Sequence, residues 1–393
     1  MSNKVYWKKA IKQAVAVGLL LCLGFTFLVG SFILVNYDNL GRLTRVIYLI
    51  NSYYLHDTPR EDLVNGAIEG MVKSLDPYSS FQDAEENKTL MNSIKGSFGG
   101  IGVHLSTADP TQLVIMRPIK SSPADRAGLE AGDIIITIDD VDVSTISHDQ
   151  AVAILRGEPG SKVIVGIYRP KTQEEFSVSL IRDYISVPTV EGKTLPGRSD
   201  IALIDISGFS LQTGDELEKL ISEMNIDQYK GIIFDLRYNY GGEVHAAIKV
   251  ASMLVPEGPI VHIVDKNGET DSMEATGKYI NKPFVILINE YTASSAEIVA
   301  GAVKDNGSGT LIGIKTYGKG VVQTVFPLDG YTSVKLTTDK YLTPNKNDIH
   351  EKGIEPDVEV ALKEDEKPTI QPKDKVFDSQ LQKALEVLLT KII

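Results

Sequence analysis

The sequence predicts a multidomain α/β protein in which a membrane-spanning segment is followed by a helical region, a small β-rich domain and a larger α/β domain. Three observations predict this fold class. They are a long uncharged stretch near the N-terminus, short β-branched runs separated by turn residues in the middle of the chain, and alternating strands and helices in the second half. With 393 residues, the chain is long enough for two or three domains and a large core.

The first element is the apolar segment Ala14–Val35, which has 22 residues and no charged side chain. This length is enough to cross a hydrocarbon layer of about 30 Å. Lysines precede the segment and Asp38 follows it, so the positive-inside rule predicts that residues 1–37 form a cytoplasmic tail and an anchor in the cell membrane, with the remainder extracytoplasmic. A cleaved signal peptide is the alternative, since Gly30-Ser31 are small, although the stretch is longer than a signal core and lacks an A-x-A site.

Residues 38–95 are predicted to be helical, because apolar side chains recur at helical spacing between Leu43 and Lys73. The pattern leaves open whether these helices pack on the core of the same chain or on another subunit. Residues 96–183 are predicted to form the β-rich domain, with a helix at His148–Leu155. Its clearest apolar runs are 113–116, 134–138 and 163–167.

Strands and helices alternate through residues 184–362, which indicates a largely parallel sheet covered by helices, with functional sites at the carboxyl ends of its strands. The predicted strands include 201–204, 231–234 and 284–288, and the predicted helices include 214–224 and 242–254. Residues 363–393 are predicted to be a polar, proline-containing linker followed by an amphipathic helix at Asp378–Leu389.

Ser294 is a candidate nucleophile because it lies in a cluster of small residues between the buried strand Phe284–Ile288 and an apolar helical pattern. Free backbone N–H groups and the positive end of the helix dipole at such a position favour an alkoxide or an oxyanion. A serine at this position is more often an ordinary helix N-cap, so the placement alone does not establish a catalytic role.

Lys319 is a candidate base because Gly318 and Gly320 flank it and apolar runs lie on both sides, which predicts a desolvated amine. Its pKa would have to fall from about 10.4 to about 7, as burial without a carboxylate partner can achieve. Ser–Lys pairs are a variant of the serine–histidine–aspartate arrangement. Gln323 would lie on the same side of an alternating strand and could orient the amine. A lysine in a glycine-rich turn is nevertheless usually solvated.

The segments around Ser294 and Lys319 resemble the catalytic motifs of the carboxy-terminal processing peptidases, also called tail-specific proteases. The spacing is 25 residues from Ser294 to Lys319 and four from Lys319 to Gln323. Further motifs of that family stand in the same order at Leu75–Phe81, Phe98–Gly102, Ser122–Asp133, Asp235–Gly242 and Gly353–Asp357. The family usually has Pro where Tyr240 stands and Ala-Ser where Ser295-Ala296 stand. The second departure makes Ser295 a rival nucleophile.

The resemblance implies a crotonase-like protease core at residues 184–362 and a PDZ domain at residues 96–183. In the core, Ser294 would attack the substrate carbonyl, Lys319 would act as the base and Gln323 would orient it. The backbone N–H groups of Gly241 and Ser295 would form the oxyanion hole.

In the PDZ domain, an extended peptide would join a sheet edge, and the loop Gly100-Ile101-Gly102 would bind the terminal carboxylate. The resemblance also implies that the N-terminal helical region supports a homodimer. The implied function is a membrane-anchored serine endopeptidase that cleaves extracytoplasmic proteins after recognising unstructured, apolar C-termini. The alternative is a catalytically idle, membrane-tethered adaptor that binds peptides.

The composition excludes several other classes of function. A net charge of -12 argues against nucleic-acid binding. The single cysteine, Cys22, and six scattered histidines give no disulfide framework, zinc site or H-E-x-x-H motif, and no G-x-S-x-G elbow occurs. Residues 313–319 nearly match a phosphate-binding loop, but Gly320 replaces the required Ser or Thr. No cofactor and no metal are therefore predicted.

Overall fold

The structure is a computed structural model that describes residues 40–106, 112–363, 366 and 378–392. These residues belong to two units that divide after Leu75. The predicted apolar span Ala14–Val35 lies outside the described residues. Among the residues that are described, no helix has the length and apolar character needed to cross a membrane.

The first unit contains two helices in its described part, α1 at residues 40–53 and α2 at Arg60–Lys73. Helix α2 carries Glu61 and Asp62 in its first turn and a lysine in its last turn, an arrangement that complements the helix dipole. The helical pattern predicted between Leu43 and Lys73 is confirmed.

The second unit begins with a short strand and a helix, followed by a β-rich region in which the predicted strands and the helix at His148–Leu155 are confirmed. Its elements are β1 (Ser80–Gln82), α3 (Ala84–Lys95), β2 (Ser97–Gly100), β3 (Val103–Leu105), β4 (Leu113–Pro118), α4 (Pro123–Arg126), β5 (Ile134–Ile138), β6 (Val141–Asp142), α5 (His148–Leu155), β7 (Lys162–Arg169), β8 (Glu174–Ile181) and β9 (Asp183–Ser186). Strands β3 to β8 form one antiparallel sheet, while β2 pairs with β9.

The remainder of the second unit alternates between strands and helices. Its elements are β10 (Val190–Leu195), β11 (Arg198–Ile206), α6 (Thr213–Glu223), β12 (Gly231–Asp235), α7 (Val244–Leu254), β13 (Pro259–Asp265), β14 (Thr270–Glu274), β15 (Phe284–Ile288), α8 (Ser295–Asn306), β16 (Thr310–Gly313), β17 (Val321–Pro327), β18 (Ser333–Leu342), β19 (Val358–Glu359) and α9 (Ser379–Lys391).

The central sheet has the strand order β10-β11-β12-β15-β16-β19 and is parallel except for β10. All residues of β12 and β15 are buried, because helices cover both faces of the sheet. On β12, Ile232 and Phe234 belong to the cluster that contains residues of α7 and α8, whereas Ile233 belongs to the cluster that contains Leu381 and Leu388 of α9. The predicted, largely parallel sheet is confirmed.

A second, antiparallel sheet, which the sequence did not predict, has the order β1-β18-β13-β14, with β17 also paired to β18. Strand β17 begins at Val321, and its pairing shifts register between Val322 and Gln323. Lys319 therefore precedes the strand. The prediction that Lys319 and Gln323 share one side of an alternating strand was wrong, because a loop and a bulge separate them.

Candidate active site

Ser294 lies where the chain turns from β15 into α8, at the carboxyl end of a parallel strand. Its backbone has φ +56° and ψ −121°, a conformation that a residue with a side chain rarely adopts. Its carbonyl oxygen accepts hydrogen bonds from the N–H groups of Glu297 (2.7 Å) and Ile298 (3.2 Å), so the helix begins at the next residue, Ser295. Strained residues of this kind concentrate at functional sites, where the surrounding structure holds them in place.

The buried carboxylate of Glu297 connects the Ser294 turn to the Lys319 loop. Its Oε2 accepts the N–H groups of Ser294 (2.9 Å) and Lys319 (2.8 Å), and its Oε1 accepts the Gly318 N–H (2.8 Å) and the Thr316 hydroxyl (2.5 Å). Burial raises the pKa of Glu297, although these hydrogen bonds oppose the increase. A role for Glu297 was not predicted from the sequence, although the Ser-x-x-Glu spacing of a capping box was a signal for it.

The hydroxyl of Tyr341, on β18, holds the same two residues through their carbonyl groups. It lies 2.9 Å from Ser294 O and 2.7 Å from Lys319 O. Burial raises the pKa of Tyr341 well above its ordinary value, so the hydroxyl remains a donor. Glu297 accepts the N–H groups of both Ser294 and Lys319, and the two carbonyl groups share the single Tyr341 hydroxyl proton, which fixes the two loops relative to each other.

The side chain of Lys319 is half-buried, and burial lowers its pKa, with a further contribution from the positive charge of Lys335. The carboxylates of Asp76 and Glu297 oppose this decrease. The Nζ atom lies 5.1 Å from the ring centroid of Tyr78, which covers one side of the amine. Within the described part of the chain, no hydrogen bond and no ion pair reaches Nζ. Burial therefore makes the neutral amine, which a general base requires, easier to form than in a solvated lysine.

The hydrogen bonds predicted between the candidate catalytic side chains are not formed in the structure. Among the described residues, no hydrogen bond joins Ser294 Oγ to Lys319 Nζ or Gln323 to Lys319. The Gln323 amide lies 3.4 Å from Thr337 Oγ1, which in turn donates to Asp76 Oδ1 at 3.2 Å. Catalytic hydrogen bonds are often long before substrate binds and tighten afterwards, so the roles of these three residues remain predictions.

Gly241 packs directly against the Ser294 turn. A Cβ atom at Gly241, which has φ +91°, would lie 2.8 Å from Ser294 Cβ and 2.9 Å from Ser295 N. The Gly241 N–H donates to Asn239 Oδ1 at 2.9 Å, so it is already engaged. The chain thus brings together the predicted oxyanion residues, and the N–H of the first residue of α8, Ser295, has no partner within its helix.

The two neighbouring serines differ in their surroundings. The Ser295 side chain is fully buried, and its hydroxyl donates to Gly242 O at 2.8 Å. Ser294 is half-buried and lies beside Gly241. An accessible hydroxyl suits a nucleophile better than a buried and engaged one, so the geometry favours Ser294 over Ser295.

Arg237, one of the charged residues that follow β12, forms a buried ion pair with Asp235 (2.9 Å) and a second pair with Asp378 (2.7 Å) at the start of α9. Burial disfavours the charged guanidinium, but the charge of Asp235 raises the pKa of Arg237 overall. Arg237 also donates to Gln380 Oε1 at 3.0 Å. The Arg237–Asp378 pair and the bond to Gln380 therefore attach the C-terminal helix to the end of β12.

The loop predicted to bind a peptide carboxylate, Gly100-Ile101-Gly102, connects β2 to β3. Its Ile101 carbonyl accepts the Ala124 N–H, and its Gly102 carbonyl accepts the Ile119 N–H, both at 2.9 Å. Gly102 has φ +79°, and a Cβ atom there would lie 2.2 Å from Ser122 Cβ, so only glycine is accommodated. A cleft of about 1010 Å³ extends from β2 and α5 past α3 to Gly241 and Gly242.

Three family models match the sequence: Peptidase family S41 over residues 200–360, a PDZ domain over residues 99–180, and the activating protease CtpB N-terminal domain over residues 32–86. The carboxy-terminal processing protease CtpA of Bacillus subtilis (strain 168) is 37% identical over 341 residues, which are 86% of this chain and 72% of that protein. The chain belongs to the carboxy-terminal processing proteases of Peptidase family S41. It is a serine-type peptidase with a PDZ domain.

Two further proteins are similar to this S41 peptidase. The carboxy-terminal processing protease CtpB of Bacillus subtilis (strain 168) is 34% identical over 326 residues, which are 82% of this chain and 68% of that protein. The solved structure of a photosystem II D1 C-terminal processing protease is 29% identical, with a TM-score of 0.49, over 87% of this chain and 90% of that one. The family and the enzyme class predicted from the sequence are confirmed.

Proposed function

We propose that the chain is a membrane-anchored serine endopeptidase that cleaves extracytoplasmic proteins after recognising their unstructured, apolar C-termini. The catalytic dyad in this proposal is Ser294 with Lys319. The observation that carries it is the arrangement around Glu297 and Tyr341, whose side chains fix the backbones of both dyad residues. The lowered pKa of Lys319 supports its role as a base.

In the proposed mechanism, Ser294 Oγ attacks the scissile carbonyl carbon while Lys319 accepts the hydroxyl proton. Collapse of the tetrahedral intermediate breaks the C–N bond, and Lys319 returns the proton to the leaving amine. Water then releases the acyl group by the same steps. The N–H groups of Ser295 and Gly241 stabilise the oxyanion, the latter after it leaves Asn239 Oδ1, and Gln323 orients Lys319 once substrate is bound.

The PDZ domain, proposed to span residues 96–183, binds the substrate C-terminus at Gly100-Ile101-Gly102 and delivers the chain to a protease core at residues 184–362. The cleft that runs from β2 and α5 to Gly241 supports this path. If deletion of residues 100–180 left cleavage rates and specificity unchanged, this role would be refuted.

The anchor and the oligomeric state are further parts of the proposal. The uncharged segment Ala14–Val35 supports anchoring, which would be contradicted if the full-length chain were recovered in the soluble fraction of lysed cells. Helix α1 exposes several apolar side chains, among them Val46 and Tyr48, which supports a homodimer formed through residues 38–95. A monomer in sedimentation velocity experiments on the detergent-solubilised chain would contradict the dimer.

The proposed activity is tested with an unfolded reporter that ends in an apolar C-terminus. We expect the full-length chain in detergent to cleave the reporter and Ser294→Ala to leave it intact, because the variant has no nucleophile. Ser295→Ala is the matched control and should retain activity, since its backbone N–H is preserved. If neither the unaltered chain nor Ser294→Ala cleaved the reporter while both bound it, the adaptor function would replace the peptidase function.

The dependence of activity on pH follows from the lowered pKa of Lys319. Only the neutral amine can accept a proton, so kcat/KM should rise with pH along a single ionisation and level off below the ordinary pKa of lysine. Lys335→Ala removes a positive charge that lowers this pKa, so the inflection should move to higher pH. A pH profile with no inflection below the ordinary pKa of lysine would contradict the assignment of Lys319 as the base. An inflection that stays at the same pH in Lys335→Ala would contradict it as well.

A further inference from the structure

Three tyrosines form a continuous aromatic surface beside the candidate active site. The rings of Tyr238 and Tyr291 stack with centroids 5.3 Å apart and an interplanar angle of 19°. The ring of Tyr240 meets Tyr291 edge-on, with centroids 6.2 Å apart and an angle of 70°. Both geometries are favourable for aromatic pairs, so the three rings support one another. We call Tyr238, Tyr240 and Tyr291 the tyrosine platform.

Two of the three rings in the tyrosine platform are exposed to solvent. Tyr240 is 58% exposed and Tyr291 is 42% exposed, whereas Tyr238 is half-buried beneath them. Adjacent exposed aromatic rings at a fixed position are typical of surfaces that contact a ligand, because they offer a large apolar area with few rotatable bonds.

The backbone holds the tyrosine platform rigidly. The buried side chain of Asn289 accepts the N–H of Tyr238 (3.0 Å) and the N–H of Tyr291 (3.1 Å) with the same oxygen. This oxygen therefore joins the loop after β12 to the loop after β15. Both loops stand at the carboxyl ends of parallel strands, where ligands of such sheets bind.

Two tyrosines of the platform adjoin the segments that form and contact the Ser294 turn. Tyr240 directly precedes Gly241, whose backbone packs against Ser294. Tyr291 lies three residues before Ser294 in the same turn. Both exposed tyrosines therefore belong to the loops that form the Ser294 turn and its Gly241 neighbour, which places the platform next to the path of a substrate chain that reaches Ser294.

We propose that the tyrosine platform is a substrate subsite that takes an aromatic or aliphatic side chain next to the scissile bond. This inference rests on the proposed peptidase function and adds a selection step that is separate from recognition of the C-terminus by the PDZ domain. The carboxylate of Glu290, next to Tyr291 in the chain, lies close enough to Tyr238 to raise, together with burial, the pKa of that phenol, so a negative charge stands near the platform. Acidic substrate side chains are therefore disfavoured at this subsite.

The test uses two unfolded polypeptides that share one apolar C-terminus, so that both engage the PDZ domain equally. Their cleavage regions differ: one carries leucine and phenylalanine, and in the other these are replaced by serine and aspartate. The full-length chain is compared with Tyr240→Ala, Tyr291→Ala and Tyr240→Phe. The control is Tyr331→Ala, since Tyr331 is 74% exposed in the loop between β17 and β18. Cleaved bonds are mapped by mass spectrometry, and kcat and KM are measured for each substrate.

We expect Tyr240→Ala and Tyr291→Ala each to lower kcat/KM for the apolar substrate by about tenfold, as loss of an aromatic contact residue typically does. The polar substrate should change by less than about twofold, and Tyr240→Phe and Tyr331→Ala should behave like the unaltered chain. Equal losses on both substrates would indicate a structural role and overturn the subsite. Unchanged rates would also overturn it, while the peptidase function would stand. If the unaltered chain cleaved neither substrate, the proposed function would fail and the subsite with it.

Discussion

Replacing Lys319 with alanine is expected to lower kcat/KM by roughly 10³-fold or more, because general-base catalysis at the nucleophile is lost. The amine is half-buried with a lowered pKa, and its backbone is held by Glu297 and Tyr341, so the variant removes the base and leaves these backbone contacts in place. Substrate binding should persist, since the PDZ domain is unchanged. The measurement is the initial rate of reporter cleavage at substrate concentrations well below KM.

Two further variants make this test specific. Lys319→Arg should also be inactive, because a guanidinium remains protonated and cannot accept the hydroxyl proton. Lys315→Ala is the matched control, since the Lys315 side chain is 54% exposed in the same loop and forms an ion pair with the exposed Glu355. Activity within tenfold of the unaltered chain in Lys319→Ala would rule out the Ser294–Lys319 dyad.

The second large effect is expected for Glu297→Ala. This change leaves three backbone N–H groups and the Thr316 hydroxyl without their buried acceptor, which should cost about 3 kcal/mol or more in the free energy of unfolding. Activity should fall with stability, because Ser294 and Lys319 lose one of the two side chains that join them, and only Tyr341 is left. Urea unfolding followed by circular dichroism measures the first effect, and reporter cleavage measures the second.

Glu297→Gln should be intermediate, since its amide keeps one acceptor oxygen but turns an NH₂ group towards N–H donors. Glu355→Ala is the control, because Glu355 is exposed and its ion pair with Lys315 contributes little. If Glu297→Ala unfolded at the same urea concentration as Glu355→Ala, the carboxylate would not hold the two loops together.

Elements with a strong local pattern were predictable from the sequence. The apolar run at β15 gave a strand with all five residues buried, and the helix at His148–Leu155 has the predicted limits. Local patterns suffice here because side-chain periodicity determines which face is buried. In the site, Ser294 and Lys319 were located by their motifs, and the structure brings their loops together through Glu297.

The remaining features depend on contacts between distant parts of the chain. Strand β18 pairs with β1, so Ser80 lies opposite Lys335, and no local pattern encodes that register. The contact of Tyr341 with Ser294 and Lys319 follows from the same sheet and was not predictable. The position of Gln323 was mispredicted because its strand begins at Val321, after Lys319, and contains a bulge.

The most direct test of the dyad is to trap the acyl-enzyme. The full-length chain is mixed with a peptide nitrophenyl ester and quenched in acid, and the acylated residue is identified by tandem mass spectrometry. We predict an acyl group on Ser294 that persists in Ser295→Ala and disappears in Lys319→Ala. An acyl group on Ser295, or acylation of Ser294 that is undiminished without Lys319, would contradict the proposed mechanism.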